Sequence, residues 1–64
     1  SKEEQMIEAL IHRIKVRQAE LQLSLAVGMA STWEAYQRMV GEHQGLQTTL
    51  DILDSMLEEE RNQD

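Results

Sequence analysis

Cysteine does not occur in these 64 residues, which excludes a disulfide framework and any thiolate metal site. Proline is missing too, leaving glycine to interrupt the helices. Phenylalanine is absent, and one Trp and one Tyr are the only aromatics, so a core here is aliphatic and filled by Met. No apolar run approaches the roughly 18 residues of a membrane span. The start of the sequence is acidic and amphipathic instead of basic and then apolar, unlike a signal peptide, and the expected location is cytoplasmic.

Positive charge is also scarce. The net charge is −6, and it is unevenly placed. Lys2, Arg13, Lys15 and Arg17 balance Glu3, Glu4, Glu8 and Glu20 in the first half. Arg38 and Arg61 stand against eight acids in the second. Such a chain argues against binding nucleic acid by phosphate neutralisation. Arg13, Lys15 and Arg17 alternate, but at about 100° per residue Lys15 points away from the other two.

What the sequence does contain is helix punctuation. Ser1-Lys2-Glu3-Glu4 and Ser31-Thr32-Trp33-Glu34 both read Ser-x-x-Glu, the capping-box spacing. Val27-Gly28-Met29-Ala30 reads as a stop, since Gly takes the left-handed position after a helix without steric cost. The spacing predicts one domain over residues 1–64: a helix over about 2–27, a turn over 28–31, a second helix over about 32–60, and a frayed acidic tail over 61–64. The fold class is all-α, a two-helix antiparallel hairpin that assembles into a helical bundle by oligomerisation or docking.

The apolar periodicity specifies a seam. Ile7, Leu10, Ile11, Ile14, Leu21 and Leu25 share one face of the first helix. Ala35, Met39, Leu46, Leu50, Leu53 and Leu57 share one face of the second. With the turn centred near residues 29 and 30, Leu25 faces Ala35, Leu21 faces Met39, Ile14 faces Leu46, Leu10 faces Leu50 and Ile7 faces Leu53. One layer is polar: Arg17 and Gln18 fall opposite Glu42 and His43. A polar layer in an apolar seam fixes register or orientation at some cost in stability. The functional alternative is a proton-sensitive or ligand-binding site on His43, Arg17 and Glu42.

A second set of apolar residues lies off the seam. Ala9, Val16, Leu23 and Val27 line the back of the first helix, and Trp33 and Val40 sit off the stripe of the second. Gly41 and Gly45, four residues apart in a helix, cost about 1 kcal/mol each and allow another backbone to come close. Val16, Leu23, Trp33, Val40, Gly41 and Gly45 are therefore the candidate partner contacts. A lone hairpin of this length buries too little, so self-association or docking is expected.

Candidate chemistry is sparse. Ser1 and Ser31 are read as caps, and Ser24 and Ser55 have no neighbouring His to act as base. Glu8 and His12, spaced i, i+4, amount to two ligands and no metal site. No Glu-x-x-His pair and no glycine-rich phosphate loop occurs. The expectation is a protein that is not an enzyme and uses no cofactor.

Gly28, Trp33, Tyr36, Val40-Gly41, Gly45-Leu46, Leu50 and Leu57 resemble the pattern of small helical-hairpin accessory proteins encoded by tailed bacteriophages. The resemblance covers roughly residues 13–60 and is most specific over Val40–Leu46. It implies a non-enzymatic phage accessory or virion-assembly component, located in the host cytoplasm or the virion. Its partners are then itself or a larger phage or host protein. It carries over no catalytic or ligand residue. In architecture alone the chain is also similar to the plasmid-regulating hairpins that dimerise into four-helix bundles and bind paired RNA, although their basic face is missing here. The alternative function, from the acidic second helix, is a small inhibitor or regulator that occupies a basic site on a host protein.

Overall fold

The computed structural model describes residues 1–63, and Asp64 lies outside the described residues. Two helices make up the fold: α1, Lys2–Ala26, and α2, Trp33–Arg61. They pack side by side as an antiparallel hairpin, since Arg17 meets Glu42 while Ile7 lines a groove with Leu53 and Leu57. The protein is all-α.

Each helix end has an identifiable cause. Ser1 caps α1, its hydroxyl accepting from the Glu4 N–H at 3.3 Å, with the Glu4 carboxylate 3.8 Å from the Ser1 amino nitrogen. At the other end Gly28 takes φ +75°. The Gly28 N–H donates to Leu25 O at 3.2 Å and the Met29 N–H to Ser24 O at 2.9 Å, a Schellman closure that satisfies the last carbonyls of α1. The cap of α2 differs from expectation. Thr32, not Ser31, holds the extended cap conformation, and its hydroxyl accepts from the Ala35 N–H at 3.0 Å. With Ala35 at the third helical position, Glu34 is one residue out of step for a capping box. α2 then continues through Arg61, with Asn62 as its C-cap, so the tail expected to fray from 61 is helical at its first residue.

Across the helix pair the buried and half-buried positions keep a heptad rhythm. Ile7, Ile11, Ile14, Gln18, Leu21 and Leu25 follow four-three spacing in α1, and Met39, His43, Leu46, Leu50, Leu53 and Leu57 do the same in α2. Only three apolar side chains in this seam are buried: Ile14, Leu21 and Leu50. The long axis measures 49 Å against 17 and 13 Å. The radius of gyration, 14.9 Å, exceeds the about 11 Å of a compact domain of this length.

Candidate interaction surface

The polar layer is assembled as a network. Gln18 is buried, 8% exposed, and its Nε2 donates to Gln47 Oε1 at 3.1 Å and toward the His43 carbonyl at 3.5 Å. The Gln22 amide donates from Nε2 to His43 Nε2 at 3.0 Å. Among the described residues no buried side-chain polar atom lacks a partner. Sequence reasoning missed Gln22 and Gln47. Each lies one turn from a member of the layer, Gln18 and His43, and that spacing was the available signal.

Beside this layer, Arg17 grips Glu42 through two bonds, Nε to Oε2 at 2.6 Å and Nη2 to Oε1 at 3.0 Å. Glu20 Oε1 lies 3.8 Å from the same guanidinium. The bidentate hydrogen bond from Arg17 holds the Glu42 carboxyl below its ordinary value of 4.5, and Glu42 in turn raises Arg17. Both side chains are about half exposed, so solvent screens the pair and its main effect is on register.

Seven of the predicted seam residues outside the buried three lie as follows. Ile7, Leu25, Met39, Leu46, Leu53 and Leu57 are half-buried between the helices, while Leu10 is not in the seam. Leu10 is 46% exposed because it falls one residue before the seam position Ile11, on the flank of the interface. Of the predicted outward contacts, Val16, Leu23 and Trp33 are exposed. Trp33 stacks on Tyr36, ring centroids 5.3 Å apart. Val40 is corrected the other way: it is half-buried, lining a cleft with Leu25 and His43. Gly41 and Gly45 face open space, with nothing within 4 Å of where a Cβ would stand, so neither marks a close crossing inside the hairpin.

The flanks of the seam differ sharply in character. Arg17 and Glu42 each precede a seam residue, and their bond shows which edges of the two helices meet on that side. Leu10 on α1 and Thr49 and Met56 on α2 occupy the same positions one or two heptads away. Met6 and Ile52, four residues before Leu10 and Met56, extend the row outward. The opposite edge carries Glu8, Lys15 and Gln22 from α1 and Gln47, Asp54 and Arg61 from α2, with Trp33 and Val40 as large apolar residues at its tip end.

Among the described residues no group of three or more His, Asp or Glu side chains is placed to hold a metal ion, and no helix is long and apolar enough to cross a membrane. The chain matches no protein-family model, and no curated protein or solved structure matches it.

Proposed function

We propose that this chain is a non-enzymatic interaction protein that completes its core by packing helices against another molecule, as a phage accessory or virion-assembly component does. The observation that carries this reading is the imbalance of apolar surface. Three apolar residues are buried, whereas ten large ones are exposed among the described residues. Small domains without disulfide or metal staples need more burial than this to hold a unique fold. The phage assignment rests on the resemblance over Val40–Leu46 and on the hairpin form.

Sedimentation equilibrium with circular dichroism over the same concentrations tests the reading. The expected result is a helical oligomer whose stability rises with concentration, or a poorly ordered monomer that gains helix when the partner is supplied. A monomer that unfolds cooperatively at a midpoint independent of concentration would sink it. Salt separates this reading from capture of a basic host surface by the acidic α2. Apolar docking between chains of net charge −6 strengthens or holds as salt rises, whereas charge-driven capture weakens steeply.

A further inference from the structure

We infer that the edge bearing Met6, Leu10, Ile52 and Met56 is a homodimer interface, and that its occupant is a second copy of this chain. The inference rests on the interaction function proposed above and names the partner and the face. It starts from area. A compact monomer of 7.4 kDa exposes about 4,200 Å², whereas this chain exposes 5297 Å². The surplus of about 1,100 Å² exceeds the about 800 Å² that each partner buries in a stable interface. One further hairpin of the same size is enough to cover it.

Position then selects the edge. Met6, Leu10, Ile52 and Met56 are 68, 46, 56 and 59% exposed. They lie at the open end of the hairpin, on the side marked by the Arg17–Glu42 bond. Two grooves run through this region, one along Met6, Ile7, Leu10 and Arg13, the other between Ile7, Leu53, Met56 and Leu57. Ile7 lines both, so the apolar residues of α1 and α2 meet there, with Ser1 and glutamates along the second groove. The other exposed apolar residues do not span both helices. Val16, Leu23 and Val27 run along the back of α1 and beyond its end, Met29 lies in the turn, and Trp33 stacks on Tyr36 in the first turn of α2.

Chemistry selects the occupant. Arg13 borders the first groove, and Glu3, Glu4 and Glu60 border the second. Glu4 pairs with the Ser1 amino group, whereas Arg13, Glu3 and Glu60 have no ion-pair partner among the described residues. A rim with both signs suits neither a strongly basic nor a strongly acidic partner, but two copies bring each sign to the other. Methionine at two of the four central positions adapts its shape to an identical surface across a two-fold axis.

The experiment compares Leu10→Glu and Met56→Glu with Leu23→Glu in sedimentation equilibrium, with circular dichroism on each variant. Leu10→Glu and Met56→Glu are expected to weaken dimerisation about a hundredfold, and Leu23→Glu by no more than a few-fold. Trp33, the single tryptophan, sits away from the proposed face, so its emission maximum should stay put as the wild-type dimer forms. That second readout holds even if a charged variant fails to fold. A dimer indifferent to both edge variants, or Trp33 emission that shifts to the blue on association, would overturn the assignment of this face while leaving the interaction function standing. A poorly ordered wild-type monomer would overturn the homodimer and point to a different protein as partner. A cooperatively folded monomer at every concentration would remove both readings.

Discussion

The Thr32 hydroxyl accepts from the third amide of α2, that of Ala35, and the adjacent Ser31 does not, although either hydroxyl could serve by type. Threonine is the poorer cap by preference, so the choice is made by where the chain leaving Gly28 becomes extended. Thr32 has φ −138° and ψ 163°, the conformation from which a hydroxyl reaches back to the third amide. Replacing Thr32 with Ala should therefore cost about 1 kcal/mol, while Ser31→Ala should cost a few tenths at most. For a domain this small the first change lowers the thermal midpoint by roughly 5 °C, which a melt followed at 222 nm resolves. Equal shifts in the two variants would show that the cap is shared. The two Ser-x-x-Glu motifs are indistinguishable as strings. Only the one at Ser1 forms, because the competing Thr32 exists only at the second.

At the scale of the helix pair, the register is held by one ion pair and one polar layer. Arg17 and Glu42 meet across an antiparallel seam because each immediately precedes a seam position, and equivalent flanks face each other in that geometry. The sign of the pH effect follows from Glu42. Its folded pKa is depressed below the ordinary 4.5, so the contribution of the pair is complete above that value and is lost as pH falls through the depressed one. The difference in melting temperature between wild type and Glu42→Gln should be widest near neutral pH. It should close in acid, and shrink at about 1 M salt, where screening acts over roughly 3 Å. A difference that persists unchanged in acid would mean that Glu42 acts by packing, not by charge.

For the whole molecule the question is why a buried glutamine interrupts a seam that is otherwise aliphatic. Gln18 satisfies its amide through Gln47 and the His43 carbonyl, and those partners exist only when α2 sits in this register. Gln18→Leu should raise stability in urea by about 1 kcal/mol while broadening the distribution of assembled species in sedimentation velocity. A loss of stability without any new species would show that the network stabilises the fold outright and does not specify it. The same reasoning applies to assembly. A hairpin of 49 by 17 by 13 Å has little interior, so in the assembly proposed above its specificity would rest on a few polar contacts and its stability on the interface with the second copy.

How much of this was legible in the sequence depends on the range of the forces involved. Helix ends at Ser1 and Gly28 follow from local chemistry, a hydroxyl within reach of an amide and a residue free to take positive φ, and they needed no tertiary contact. The seam through Ile14, Leu21, Leu46 and Leu50 was equally legible, because helical spacing alone puts those residues on one face. The positions just off the seam were not. Leu10 and Val40 have the same kind of side chain and similar angular offsets, yet the structure exposes one and half-buries the other. Which flank is covered depends on how α2 crosses α1 and on where the Arg17–Glu42 pair sets the register. Spacing within one helix carries no information about its neighbour's rotation. The sequence by itself therefore determined the two helices, their break and the residues of their common face. Only the tertiary structure decided that Leu10 belongs with Met6, Ile52 and Met56 on an open edge, and that Gln22 and Gln47 join the polar layer, because both depend on contacts between residues more than twenty positions apart.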